Sequence, residues 1–207
     1  AKAMLWLILM DSAILKLLPG TRRNVLLAPY TTFKIGGRAT YFFTARTSNV
    51  IVGAIKAARN LRIPFFILAG GSNLLVSDKG FGGFVIHVQT KKYTIKGLRL
   101  FCEAGVPLPT LVRETGKRGL SGLEWAGGLP GSVGGAIRGN AGAFNAEMKD
   151  VLVSAKVLFP DRMRELSNEE FHFTYRHSVL KEEGKYGVVL EAVLRLEEGD
   201  GATIDAL

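Results

Sequence analysis

Residues 39–76 read ATYFFTARTSNVIVGAIKAARNLRIPFFILAGGSNLLV. Ala39–Thr44 is an apolar, aromatic-rich run of strand character. Ser48 or Asn49 then caps a helix over Val50–Asn60, with Val50, Ile51, Ala54, Ile55 and Ala58 on one face. Pro64–Leu68 is a short buried strand, Gly70-Gly71-Ser72-Asn73 a turn, and Leu74–Val76 a further strand. With Phe84–Val88 this predicts a β-α-β-β-β unit over residues 39–90.

Outward from that unit the organisation becomes increasingly β. Residues 4–18 read as a helix stopped by Pro19-Gly20. Leu98–Glu103 is strand-like. Pro109–Arg118 reads as a helix, started near Thr110 and stopped by Gly119. Val151–Phe159 is a strand, turned by Pro160-Asp161 toward a hairpin partner at Met163–Leu166. Glu169–Phe173 reads as a short helical turn, and Val188–Leu196 as a strong closing strand.

The chain has 207 residues, of which 47% are hydrophobic and 22% charged, which excludes a disordered chain. One cysteine, Cys102, allows no intrachain disulfide and suits a reducing compartment. Three scattered histidines add no metal-ligand cluster. Of these, His87 reads as a core residue of its strand. Met4–Met10 is apolar but far short of the ~20 residues a membrane span requires.

The net charge of +9 is unevenly placed: residues 1–120 carry +14 and residues 121–207 carry −5. The basic part admits nucleic acid, anionic lipid or a phosphate-bearing small ligand. Its longest basic clusters are pairs, Arg22-Arg23 and Lys91-Lys92, which argues against nucleic acid.

Three motifs could carry chemistry. Gly70-Gly71-Ser72-Asn73 after a buried strand can present successive backbone N–H groups to an anion. An ordinary β-turn explains it equally well. In Gly127–Gly135 five glycines fall within nine residues. That density is entropically costly and points to a ligand lying against the backbone. The loop continues into Asn140-Ala141-Gly142-Ala143. Tyr175-Arg176-His177-Ser178 places a guanidinium where it could grip a carboxylate. From spacing alone, a surface ion pair with Glu182 or Glu183 is the simpler reading.

In order, Thr31–Gly37, Leu68–Val76, Gly119–Glu124, Gly128–Gly135, Asn140–Ala143 and Tyr175-Arg176-x-Ser178 resemble the UDP-N-acetylenolpyruvoylglucosamine reductase family, from about Leu26 to Asp200. The resemblance implies an α+β fold, the FAD-binding fold of the vanillyl-alcohol-oxidase/p-cresol-methylhydroxylase type with two α+β subdomains. It implies segments 1–24 (helix and lead-in), 25–92 and 93–200 (the two FAD-binding subdomains), and 201–207, where a substrate domain would begin. That domain would carry a G-S-x-F-x-N-P segment and the proton-donating serine, which are absent here. The chain is therefore expected to be the FAD-binding part and catalytically incomplete alone.

The resemblance further implies non-covalent FAD and NADPH as co-substrate. Gly70, Gly71, Ser72, Asn73 and Leu74 would cradle the pyrophosphate. Gly131, Ser132, Gly134, Gly135, Asn140, Ala141 and Gly142 would line the flavin end. Arg176 would be catalytic, meeting the substrate carboxylate with Tyr175 beside it. The implied partners are a UDP-sugar and NADPH, with no nucleic acid, membrane span or metal, and the oligomeric state stays open. The implied setting is cytoplasmic peptidoglycan synthesis, serving cell-wall biogenesis, cell shape and division. Arg138-Gly139 departs from the family, which has an apolar residue and methionine there. A non-catalytic FAD-binding remnant, or the FAD domain of another oxidase or dehydrogenase of this fold, are the alternatives.

Overall fold

In the computed structural model, which describes residues 11–182 and 186–199, the chain divides into two units, one ending at Gln89 and one starting at Thr90. No helix among the described residues is long and apolar enough to cross a membrane.

The first unit begins with helix α1, covering residues 11–17; the earlier part of the expected helix lies outside the described residues. Gly20, at φ +92°, ends it. Asp11 pins α1 to the sheet by accepting from the Tyr41 hydroxyl at 2.5 Å and from Arg23 at 2.7 Å. Burial, then the Asp11 carboxylate, push the Tyr41 hydroxyl up to about 12. The strands are β1 (Arg22–Leu26), β2 (Arg38–Ala45), β3 (Phe65–Leu68) and β4 (Phe81–Val88), in the order β1-β2-β4-β3. The β2–β4 and β3–β4 pairs are parallel and β1–β2 is antiparallel. Helix α2 (Ser48–Asn60) joins β2 to β3.

Several expectations need correction here. The cap of α2 is Thr47, whose side chain accepts from the Val50 amide at 3.3 Å, and not Ser48 or Asn49. The helix buries Ile51, Ala54, Ile55, Ala57 and Ala58, while Val50 stays 38% exposed. Leu74–Val76 is not a strand. Leu74 and Val76 pack against the core of Leu27, Ala39, Phe42, Leu68 and Val85, whereas Leu75 is 70% exposed. The in-out alternation is real, but the segment pairs with no strand of the sheet. Strand β1 was not expected: RRNVL turns only Val25 partly inward, so it shows no apolar period. His87 lies in the core, its ring 5.2 Å from Tyr30 and 5.4 Å from Phe42. Burial, then Arg22 and Arg46, hold it below the usual histidine value and favour the neutral ring.

The second unit is built on an antiparallel sheet of β5 (Tyr93–Lys96), β6 (Arg99–Glu103), β10 (Leu152–Leu158), β11 (Met163–Ser167) and β12 (Val188–Arg195), in the order β11-β10-β12-β6-β5. The expected hairpin is there, with Leu158 opposite Met163, and Glu169–Phe171 forms the expected short turn of helix. Strand β5 was not expected; Gly97, at φ +55°, turns it into β6. The helices are α3 (Leu108–Gly116), α4 (Val133–Gly139) and the single turn α5 (Met148–Val151). Helix α3 starts two residues before Thr110, with Pro107 as its cap residue. Short pairs complete the unit: β7 (Leu120–Ser121) with β13 (Glu197–Glu198), and β8 (Gly142–Ala143) with β9 (Ala146–Glu147). Leu100, Leu108, Leu111, Val133, Ile137, Phe171, Leu180 and Leu194 form one core. Cys102 belongs to that core, and burial pushes its thiol up to about 12.

Candidate functional site

In the first unit the Gly70–Leu74 turn follows β3. Gly71 sits at φ +63°, and a Cβ there would lie 2.1 Å from the Tyr30 carbonyl oxygen. The Thr32 amide donates to the Gly71 carbonyl at 3.1 Å. Gly71 is thus required by the approach of residues 30–32, whatever else the turn holds. Gly70 and Asn73 are exposed, and Ser72 and Leu74 are half-buried. Ser72-Asn73 is a hydrogen-bonded turn in which the Leu74 amide faces the Gly71 carbonyl, while the Asn73 amide meets no backbone acceptor among the described residues and remains for a ligand.

In the second unit the glycine-rich loop is stitched to the segment leading into α3. The Leu108 amide donates to Gly131, Val133 to Val106, and Gly134 to Ala104, at 3.0, 3.0 and 2.8 Å. These bonds commit the Val133 and Gly134 amides within the fold, so they are not ligand donors. Gly131 sits at φ +135°. Ser132, 6% exposed, caps α4 by accepting from the Gly135 amide at 3.5 Å. A Cβ at Gly134 would lie 2.8 Å from Cβ of Ala104. Gly135 and Gly128 differ: a Cβ at Gly135 would meet only the Ser132 hydroxyl at 3.6 Å, and at Gly128 nothing within 4 Å. Packing explains Gly134; it does not explain Gly128 or Gly135.

Asn140 ends α4 in the left-handed region, at φ +42° and ψ +57°. It is 1% exposed. Its side chain donates to Glu147 at 2.7 Å and to the Thr174 carbonyl at 3.0 Å, and accepts from the Lys149 amide at 3.0 Å. Asn140 therefore locks the loop, and Ala141 is committed as well, its amide donating to the Ala136 carbonyl at 2.9 Å and its carbonyl accepting from the Met148 amide at 2.8 Å. A Cβ at Gly142 would lie 2.6 Å from the Ala146 carbonyl oxygen across the β8–β9 turn. The exposed Phe144 and Asn145 form that turn at φ +52° and +62°.

The Tyr175-Arg176 pair is the tip of a tight turn closed by reciprocal bonds between Thr174 and His177, at 3.2 and 3.1 Å. Arg176 is left-handed, at φ +54°. Its guanidinium donates to the Gly142 carbonyl at 2.9 Å, and its own carbonyl accepts from Lys181 Nζ at 2.5 Å. The structure thus brings Arg176 to Gly142, two residues 34 apart in the chain. Arg176 pairs with no carboxylate among the described residues; Glu183, one of the two partners expected, lies outside them. Tyr175 is 86% exposed. Ser178 is fully buried and donates to the Arg138 carbonyl at 2.8 Å. The exposed Arg138 and Lys181 accompany Arg176 and were not singled out from the sequence. Arg138 carried one signal, as a charge where the resembling family has an apolar residue.

Residues 39–163, more than half the chain, match the FAD binding domain family. The chain is 39% identical over 181 residues to the UDP-N-acetylenolpyruvoylglucosamine reductase of Clostridium novyi (strain NT), a match covering 86% of this chain and 58% of that protein. A crystal structure of UDP-N-acetylenolpyruvylglucosamine reductase from Thermus caldophilus superposes with a TM-score of 0.75 at 37% identity, covering 88% of this chain and 64% of that one. The 6-hydroxy-D-nicotine oxidase structure from Arthrobacter nicotinovorans, at 20% identity and TM-score 0.61, shares the fold over 77% of this chain and 37% of its own. The chain thus spans about three fifths of the length of the reductases it matches.

Proposed function

The chain belongs to the FAD binding domain family, and on that footing we propose that it carries the FAD-binding part of a UDP-N-acetylenolpyruvoylglucosamine reductase. With NADPH as reductant, the product would be UDP-N-acetylmuramate, a step of cytoplasmic peptidoglycan precursor synthesis. The residues present fit the cofactor: the Asn73 amide in the turn after Gly71 is left open, and Gly128 and Gly135 leave room beside the backbone.

In this reading Gly70, Gly71, Ser72, Asn73 and Leu74 cradle the pyrophosphate, with the Asn73 amide as a donor. Gly131, Ser132, Gly134 and Gly135, with Asn140, Ala141 and Gly142, shape the backbone beside the flavin. Bound FAD supplies hydride transfer, from NADPH to the enolpyruvyl double bond. Arg176 holds the substrate carboxylate and stabilises the negative charge that develops as hydride adds.

The observation that carries the reading is the backbone of Arg176. A non-glycine residue in the left-handed region costs about 1–2 kcal/mol and persists only where its surroundings enforce it. Here the Gly142 carbonyl and Lys181 enforce it, and the guanidinium stays exposed next to the glycine loop.

The test starts from purified protein reconstituted with FAD. Denaturation is expected to release all the flavin as free FAD. Adding the enolpyruvyl UDP-sugar should perturb the visible flavin spectrum of the parent, whereas Arg176→Ala should keep its FAD and lose the perturbation. Failure to take up FAD, flavin retained covalently, or loss of FAD from Arg176→Ala would overturn the assignment.

A further inference from the structure

Three cations meet at the C-terminal end of α4. Lys181 Nζ bonds the Arg176 carbonyl at 2.5 Å, and the Ser178 hydroxyl bonds the Arg138 carbonyl at 2.8 Å, so one turn of chain ties all three together. Burial, then the positive charges of Arg138 and Arg176, hold the Lys181 ammonium below the usual lysine value. Between them Gly139 leaves an opening: a Cβ there would have only Lys181 Nζ nearby, at 4.0 Å.

Residues 121–207 carry five more acidic than basic groups. They use this surplus elsewhere, pairing Lys149 with Glu147, Lys156 with Glu191 and Arg164 with Glu170. No carboxylate among the described residues pairs with Arg138, Arg176 or Lys181. The helix end does not explain the group. The C-terminal dipole favours a cation by only about 0.3–1 kcal/mol, and Asn140 already caps the helix. Arg176 and Lys181 meet only backbone carbonyls, and an anion from outside would relieve the mutual repulsion of the group. A carboxylate on Arg176 would leave Arg138 and Lys181 unmatched; a phosphate or diphosphate beside it would match them.

We propose that Arg138 and Lys181, beside Arg176, form one oxyanion site that takes a multiply charged phosphate group of a nucleotide substrate. This rests on the reading of Arg176 as a substrate-facing residue and extends it to Arg138 and Lys181. The phosphate can come from the diphosphate of a UDP-sugar or from the phosphates of a nicotinamide dinucleotide.

The experiment titrates FAD-loaded protein with inorganic pyrophosphate by calorimetry at fixed ionic strength. The parent should bind, Arg138→Gln and Lys181→Gln should each weaken binding about tenfold or more, and Lys181→Arg should restore it. UDP, NADP+ and NAD+ then separate the sources. A loss confined to UDP assigns the UDP-sugar, and a loss for NADP+ but not NAD+ assigns the 2′-phosphate. No pyrophosphate binding by the parent, or equal binding by parent and both glutamine variants, overturns the site. If the protein takes up no FAD, the reductase reading fails. The same titration on the flavin-free chain still decides the oxyanion site, by comparison of parent and variants.

Discussion

Gly134 and Gly135 are neighbours in the first turn of α4, yet one added methyl group should act on the fold with opposite sign at the two positions. At Gly134 a Cβ would lie 2.8 Å from Cβ of Ala104 and 3.2 Å from its carbonyl oxygen. Neither atom can swing aside, because a Cβ moves with its backbone and that carbonyl accepts the Gly134 amide at 2.8 Å. Overpacking of this kind costs about 1–3 kcal/mol, against about 1 kcal/mol regained from the better helix propensity of alanine. Gly134→Ala should therefore lose up to about 2 kcal/mol. At Gly135 the nearest atom is the Ser132 hydroxyl at 3.6 Å, an ordinary contact. Gly135→Ala should gain about 0.5–1 kcal/mol. In flavin-free protein that is a rise in Tm of roughly 1–4 °C.

Binding should reverse the order. If FAD lies against the loop, the Gly135 methyl occupies space the cofactor needs, and a clash of 1–3 kcal/mol weakens affinity roughly five- to hundredfold. Thermal melts of the flavin-free variants and quenching of FAD fluorescence on titration give the two quantities separately. A Gly135→Ala protein that binds FAD like the parent would refute the placing of the cofactor beside this residue. A Gly134→Ala protein that gains stability as Gly135→Ala does would refute the packing account of its neighbour.

Three further outcomes follow from the same geometry. Asn140→Ala should cost about 2–4 kcal/mol, since it removes three hydrogen bonds of a buried side chain and leaves alanine at φ +42°; chemical denaturation measures it. Arg176→Gly should be more stable than Arg176→Ala by about 1 kcal/mol, the reverse of the usual order, because φ is +54° there. Equal melting temperatures would exclude the left-handed conformation. Cys102, with its thiol raised from 9.0 to about 12, should react with iodoacetamide at pH 8 roughly a thousandfold more slowly in the native than in the unfolded chain. Its folded value lies above the unfolded one, so its contribution to stability is whole below pH 9 and is lost as pH rises toward 12. An unfolding titration across that range reads it.

The elements that could be read from the chain are those whose burial is periodic along it. The hairpin of β10 and β11, the closing strand β12 and the apolar face of α2 each repeat their inward residues at the spacing of their own structure. Strand β1 has no such repeat, because its edge position turns a single side chain partly inward. Leu74–Val76 has the repeat and no partner, so a correct pattern predicted the wrong element. The site divides the same way. Glycine density was visible, but its meaning depends on distant partners. Gly71 answers to Tyr30, Gly134 to Ala104 and Gly142 to Ala146, while a Cβ at Gly128 would meet nothing and at Gly135 only the Ser132 hydroxyl, in ordinary contact. Only the last two carry information about a ligand, and no local spacing separates them from the others. The three cations were harder still to see. Arg138 and Lys181 lie 43 positions apart, in the half of the sequence whose net charge is −5. Summed charge pointed away from an anion there, and the turn that raises Arg176 beside the end of α4 is what reverses it.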